Sequence, residues 1–174
     1  MQRRRFLQHT GAAVAGLVIL PARAQMTPVQ NLSDALAWLD SLATGPAPRT
    51  TGTWPLPAVL QHLAQSIEMS LDGFPEPKSA AFQATLGSAA FAFFKWRGRM
   101  SHGLAEPIPG APALVTQATD WRPQAERLRT AITRFNGHTG ALQPHFAYGA
   151  LSKADFALAH TLHIANHQDE ILRG

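Results

Sequence analysis

The sequence contains no cysteine among its 174 residues. This absence excludes disulfide bonds, thiolate metal ligands, thiol nucleophiles and covalently attached c-type haem. The protein must then be held together by packing, with or without a bound metal. The sequence also lacks long apolar runs. The N-terminal run, residues 11–20, has only ten residues, which is too short for a membrane-spanning helix of about 20 residues.

The first 24 residues have the organisation of a bacterial export signal. Three consecutive arginines (Arg3 to Arg5) precede the apolar run, Pro21 ends it, and Ala22-Arg23-Ala24 has the small-x-small pattern that a signal peptidase cleaves. Paired arginines favour the twin-arginine pathway, which exports folded proteins. We therefore predict that residues 1–24 are a signal peptide that the twin-arginine export machinery recognises. Residues 25–174 should then form one periplasmic domain with no stable membrane anchor.

Charge does not indicate a nucleic-acid partner once the signal peptide is removed. The full chain has 15 Lys+Arg and 11 Asp+Glu, a net charge of +4. Four of these arginines lie within residues 1–24, so the rest of the chain carries 11 basic and 11 acidic residues. Nucleic-acid binding needs a clustered basic surface, and the dense basic stretch at residues 95–99 is typical of a solvated helix end. We predict no nucleic-acid partner.

Apolar periodicity predicts an all-α domain. Helical spacing recurs in five segments, and no segment has the alternation of a strand. The predicted helices cover about residues 32–43, 57–72, 79–96, 123–136 and 153–172. The third is apolar on enough sides to be central, and long loops rich in proline or glycine follow it and the fourth. We expect a four-helix bundle with long inter-helix loops, in which the first helix is one of the four or an addition.

The last predicted helix carries three histidines on one face. At 3.6 residues per turn, His160, His163 and His167 fall within about 60° of arc near Phe156, which should face the core. Residues three and four apart have Cβ atoms about 5–6 Å apart, close enough for two imidazoles to bind one ion. Hydrogen-bonded core histidines are the alternative, but each neutral ring would then need partners for both nitrogens. This requirement favours a divalent metal.

His62 is ambiguous by its position alone. It lies about 120° from the centre of the apolar stripe of the second predicted helix. A histidine at this edge either reaches into the mouth of the bundle or remains half-exposed.

The chain resembles the DinB/YfiT-like superfamily, and more closely a bacterial family of unknown function within it. The resemblance lies in Trp54, in the sequence around His62 and in the histidines of the last helix, together with Gly73-Phe74-Pro75 and residues 97–102, 107–112, 144–149 and 160–167. It implies a four-helix bundle in which a divalent metal is held by His62, His163 and His167. His160 would be a fourth ligand or would support the ligands. The superfamily's frequent His-Arg-Gly-Gln ending is replaced here by residues 167–170, which leaves the substrate chemistry open.

A three-histidine site leaves coordination positions open for water or substrate, as catalytic sites do. We therefore expect an exported metal-dependent enzyme of unknown reaction, acting on an unidentified small molecule. The alternative is a non-catalytic metal-binding or stress-related bundle. Imidazole ligands do not distinguish zinc, nickel or iron. A carboxylate-bridged di-iron site is excluded because the sequence has no Glu-x-x-His pair.

The two long loops carry further polar side chains. His102 lies on the first, and His145 and Tyr148 lie on the second, where they would line the mouth of the site or be exposed. The resemblance also implies thiol-dependent reactions, but an exported protein would meet few of the cytoplasmic thiols, so no such reaction is assigned. The oligomeric state is open, and a homodimer is one alternative.

Overall fold

The computed structural model describes residues 27–44 and 46–172, so the predicted signal peptide lies outside the described residues. The described chain is mostly helical, as the periodicity predicted. Its helices are α1 (Leu32–Leu42), α2 (Leu56–Asp72), α3 (Ala80–Phe82), a π-helix (Gln83–Gly87), α4 (Ser88–Arg97), α5 (Arg122–Gly137) and α6 (Lys153–Gln168). Two short strands, β1 (Arg49–Thr50) and β2 (Ile171–Leu172), pair in antiparallel orientation.

Residues with known capping preferences mark the boundaries of several helices. The Asn31 side chain accepts the first-turn N–H of Asp34 in α1, and Ser152 accepts that of Asp155 in α6. Helix α2 ends at Asp72 and is capped by Gly73, whose φ of 110° is unfavourable for residues with a side chain. The predicted helix over residues 79–96 is present, but the π-helix interrupts it.

The central helix is α2, and the prediction that the third helix is central is wrong. Helix α2 packs along α5 and α6, and α1 packs on the same two helices, so α1 belongs to the core. The largest fully buried apolar side chains come from these four helices and β2: Leu39, Leu60, Leu63, Ile67, Leu128, Ile132, Phe135, Phe156, Ile164 and Ile171. The π-helix and α4 lie at the surface, where Leu86, Phe93 and Trp96 are exposed.

Helix α2 tolerates burial on nearly all sides because its polar side chains find partners. Gln61 donates to the carbonyl of Ala113 at 3.2 Å and accepts the N–H of Val115 at 2.7 Å. Gln65 donates to the carbonyl of Pro112 at 2.9 Å. These bonds fasten the loop between α4 and α5 to α2. The loop contains no helix, as its prolines predicted.

Helix α6 is shorter than predicted. It ends at Gln168, after which the chain enters β2. The N–H of Thr51 donates to the carbonyl of Glu170 at 2.8 Å, and Ile171 is buried in the core. The expectations of a helix to residue 172 and of no strand are therefore wrong. Pairing with β1 and burial of Ile171 prevail over the local helical pattern.

Within the described ranges, no helix has both the length and the apolar character that crossing a membrane requires. The exposed apolar surface of α4 is interrupted by charge, since the Arg97 guanidinium lies 6.0 Å from the centre of the Phe93 ring. The homodimer considered from the sequence stays a prediction, because the structure contains one chain.

Candidate metal centre

The histidine face of α6 points inward, as its periodicity predicted. His160, His163 and His167 are buried, and so is Phe156 near the centre of the arc. Helix α6 packs against α2. The three rings therefore lie in the protein interior and not at the surface of the bundle.

His62 extends from α2 toward two of these rings. Its Nε2 lies 3.1 Å from the Nε2 of His163, and its ring centre lies 5.2 Å from that of His167. One nitrogen from each of the three rings lies within 4.8 Å of the others. His62 is 2% exposed, because α2 is buried even at the edge of its apolar stripe. The structure thus brings together the three histidines that the resemblance implied as ligands.

Neighbouring side chains orient these rings. The Nδ1 of His167 donates to the Oε1 of Glu170 at 2.7 Å, and the Nδ1 of His163 lies 3.3 Å from the Ser66 hydroxyl. The indole of Trp54 lies parallel to the His167 ring at 6.5 Å. A carboxylate on the distal nitrogen fixes a ligand's orientation and raises its basicity. The Nε2 of His167 is buried without a hydrogen-bond partner in the described chain, so it is free to bind an ion.

Burial keeps the His62 and His163 rings neutral. It lowers the pKa of His62 to about 3, and the nearby His167 and His102 lower this pKa further. Burial, followed by the neighbouring histidines, holds the pKa of His163 well below its ordinary value. Neutral rings carry lone pairs that a cation can accept, whereas added protons would be desolvated and would repel one another.

His160 stands apart from the three clustered rings. Its Nε2 lies 3.2 Å from the hydroxyl of Ser70, and its ring meets Phe135 edge-on at 5.1 Å. Of the two roles considered for His160, fourth ligand or support for the ligands, these contacts argue against the first.

His102, which the sequence placed at the mouth of the site or on the surface, lies close to the histidine cluster. Its ring centre is 4.9 Å from that of His163 and 5.5 Å from that of His167. Its Nδ1 lies 2.9 Å from the carbonyl of Gly103. A carbonyl only accepts, so Nδ1 carries the proton of the neutral ring and Nε2 carries the lone pair. His102 is therefore a candidate for a fourth ligand or for contact with a bound molecule.

A cavity of about 270 Å³ lies beside the cluster. Besides His62 and His163, its polar lining consists of Ser66, Lys78, His102, Glu106, His145, Tyr148 and His160. Its apolar lining consists of Met100, Pro107, Ile108, Pro109, Phe146 and Ala159. Lys78 and Glu106 are exposed and place one charge of each sign at the rim. Both long loops thus contribute to the cavity, including the residues predicted for its mouth.

Comparison with known proteins places the chain in a sequence family. A family model described as "Protein of unknown function (DUF1569)" matches residues 22–173. The chain belongs to this family. The DUF1569 match includes every residue of the cluster and the cavity, and the expected membership of a family of unknown function is confirmed. No curated protein and no solved structure matches the chain.

Three contributors to this candidate site were not predicted from the sequence. Glu170 was noted only as part of the ending that replaces the superfamily's His-Arg-Gly-Gln. Its spacing of three residues from His167 was an available signal, since this spacing permits contact at a helix end. Ser66, four residues after His62, carried a similar signal. Trp54 was used only as part of the resemblance, and its contact with His167 follows from long-range packing.

Proposed function

We propose that this protein is an exported metal-dependent enzyme of the DinB-like superfamily, with a divalent zinc, nickel or iron ion held by His62, His163 and His167. One observation carries the proposal: the Nε2 of His167 is buried without a partner in a cluster whose ring nitrogens lie within 4.8 Å. An unsatisfied buried polar group costs about 1–3 kcal/mol. A bound cation would remove that cost.

The chain's own residues would hold the site. Glu170 binds the Nδ1–H of His167 and so leaves the Nε2 lone pair for the ion. The Ser66 hydroxyl likewise lies within hydrogen-bond distance of the Nδ1 of His163. Trp54 packs beside the cluster, with its indole parallel to the His167 ring. A divalent ion bound by three neutral imidazoles keeps its full charge, polarises a carbonyl and lowers the pKa of coordinated water.

The cavity favours catalysis over storage. It reaches His62 and His163, so a small molecule could approach the open side of the ion. His160 is engaged with Ser70 and does not close the coordination shell. The proximity of His102 supports the second candidate, a non-catalytic metal-binding protein, because a fourth imidazole would complete a closed tetrahedral site.

Cobalt substitution would separate the two candidates. Metal analysis of the purified protein should find one ion per chain, and reloading with Co²⁺ should give the visible absorption of a low-symmetry site. We expect added azide to change this spectrum, because an open position would accept the anion. A protein that retains no metal would refute the site. A site that binds cobalt but does not respond to azide would instead favour the closed, non-catalytic alternative.

Export and the DinB-like bundle type are part of the same proposal. The arrangement of α1, α2, α5 and α6 around one core supports the bundle type, and the arginines before the apolar run support twin-arginine export. Replacing Arg3, Arg4 and Arg5 together by lysine should leave the protein in the cytoplasmic fraction with its residues 1–24 uncleaved. Unchanged recovery from the periplasm would argue against this route.

A further inference from the structure

The turn at residues 145–149 presents a histidine to the cavity in a fixed orientation. His145 and Gly149 exchange two backbone hydrogen bonds of 2.8 and 3.0 Å, which close the turn. Gly149 has a φ of 77°, a conformation suited to glycine. The His145 ring is stacked on Tyr148 at 4.2 Å and packs against Phe74 at 5.0 Å.

Hydrogen bonds within this turn determine which ring nitrogen of His145 carries the proton. The Nδ1 lies 3.1 Å from the N–H of Ala147 and 3.2 Å from that of Tyr148. Backbone N–H groups only donate, so Nδ1 must be an acceptor. Burial lowers the pKa of His145 to about 3, and the ring is therefore neutral at neutral pH. The proton then resides on Nε2, the ring nitrogen left for a ligand in the cavity.

The start of the α3 to α4 segment holds the turn in place. Gln83 donates to the carbonyl of Phe146 at 3.1 Å, and the N–H of Lys78 donates to the same carbonyl at 2.8 Å. A Cβ on Gly87 would overlap the carbonyl of Ala147, so the π-helix lies directly against the turn. The donor at His145 is thus oriented before any ligand binds, which lowers the entropy cost of binding.

His160 offers the opposite hydrogen-bonding function. The Ser70 hydroxyl donates to the carbonyl of Ile67 at 2.6 Å. It therefore accepts from the Nε2 of His160, which lies 3.2 Å away. The Nδ1 of the neutral His160 ring consequently carries a lone pair, and it has no hydrogen-bond partner among the residues described. Both His145 and His160 line the cavity, and each lies near the Phe156 ring, with centroid distances of 6.2 and 5.6 Å.

We propose that the Nε2–H of His145 and the Nδ1 of His160 form a neutral donor–acceptor pair that binds an uncharged amide group of the substrate. The carbonyl of a carboxamide, lactam or ureide would accept from His145, and its N–H would donate to His160. A carboxylate has no proton to donate, so the acceptor on His160 would lose its partner. The inference takes the cavity as the substrate pocket and thus rests on the proposed enzyme. The amide would be held within reach of the histidine cluster.

Benzamide and benzoate test this pair because they differ only in the group that should be recognised. Binding to the signal-free chain would be followed by NMR titration, both as purified and after metal removal with a chelator. We expect benzamide to bind about 5–150-fold more tightly than benzoate in the metal-free protein, since an unpaired buried polar group costs about 1–3 kcal/mol. Equal binding, tighter binding of benzoate, or binding of neither compound would overturn the inference.

His145→Asn is the matched variant. An asparagine oxygen can still accept the N–H groups of Ala147 and Tyr148, as in an Asx turn, but it provides no donor at the position of Nε2. The variant should lose most of the preference for benzamide, whereas His138→Asn, on an exposed part of the second long loop, should retain it. A retained preference in folded His145→Asn would refute the assignment. The wild-type comparison decides even if the variant fails to fold.

The test also separates this inference from the metal proposal. Metal content is measured on the same samples, independently of ligand binding. If the protein as purified contains no metal but prefers benzamide, the amide subsite is supported and the metal centre is refuted. If the purified protein contains one metal ion per chain but shows no preference for benzamide, the metal centre is supported and the amide subsite is refuted.

Discussion

Replacing His163 by alanine is expected to abolish stoichiometric metal binding. The ring centre of His163 lies 4.9 Å from that of His62 and 5.0 Å from that of His167, and its loss leaves two ligands in place of three. Loss of a residue that merely supports a ligand typically weakens metal affinity about 10–100-fold, so removal of a ligand should exceed about 100-fold. Metal analysis after dialysis would find close to one ion per wild-type chain and almost none in His163→Ala.

The same substitution should remove the stability that the ion contributes. At a free metal concentration of about 1,000 times the dissociation constant, binding adds about 4.1 kcal/mol to the free energy of unfolding. For a domain of this size, that amount corresponds to a rise in Tm of about 8–16 °C. The Tm of the wild-type protein should therefore fall on chelation, while the Tm of His163→Ala should not respond to the chelator.

Two other histidines serve as controls. His138 lies on the loop after α5, and its Nε2 contacts only the Ala141 carbonyl among the described residues. His160 is buried like the proposed ligands but faces Ser70. Both His138→Ala and His160→Ala should retain metal, although the second should lower the Tm because it empties a buried position. Metal loss in His160→Ala equal to that in His163→Ala would reassign the ligand set.

Local periodicity was sufficient to predict the inward face of α6. Burial of a helix face depends on side chains three and four positions apart, and Phe156 marked this face among the histidines. The same reasoning failed for the third helix. Its apolar residues gave it a central place in the prediction, but α2 is the central helix, and Trp96 is 82% exposed. Competition between helices for one core cannot be judged from one helix at a time.

Burial of His62 depended on contacts distant in sequence. The edge of α2 is covered because the loop after α4 folds back onto it, and Gln61 bonds to Ala113 and Val115 on that loop. Neither partner is indicated by the spacing of residues in α2. The resemblance identified His62 where periodicity left two alternatives, and the structure then placed its Nε2 beside that of His163.

The end of α6 shows how a long-range pairing can determine a site. Helical periodicity continues past Gln168, but the pairing of β2 with β1 ends the helix there. The chain then turns, with the N–H of Glu170 bonded to the carbonyl of His167. This turn brings the Glu170 carboxylate to the ring of His167.

Glu170→Gln should weaken metal binding about 10–100-fold, the usual effect of losing a carboxylate behind a histidine ligand. Glutamine can still accept from the Nδ1 of His167, but a neutral acceptor gives a bond roughly half as strong as a carboxylate does. Competition with a metal-binding dye would measure the change in dissociation constant. The Tm of the metal-loaded variant should be lower than that of the metal-loaded wild type.

In the metal-free protein, the effect should disappear or change sign. Glu170 is buried, and its Oε2 has no hydrogen-bond partner among the described residues. Burying a carboxylate without full compensation is costly, so glutamine should be neutral or stabilising once the ion is gone. A merely structural role would lower the Tm equally with and without metal, and that result would contradict an action through His167.

Two further variants distinguish charge from position. Glu126→Gln removes an exposed carboxylate near Arg129 and should leave metal affinity unchanged. Gly52→Ala keeps the Glu170 carboxylate but places a Cβ where its Oε2 now lies, so the carboxylate must shift away. If the Glu170–His167 hydrogen bond holds the ligand in place, Gly52→Ala should weaken metal binding in the same direction as Glu170→Gln. Unchanged metal affinity in both Glu170→Gln and Gly52→Ala would mean that His167 binds the ion without the help of Glu170.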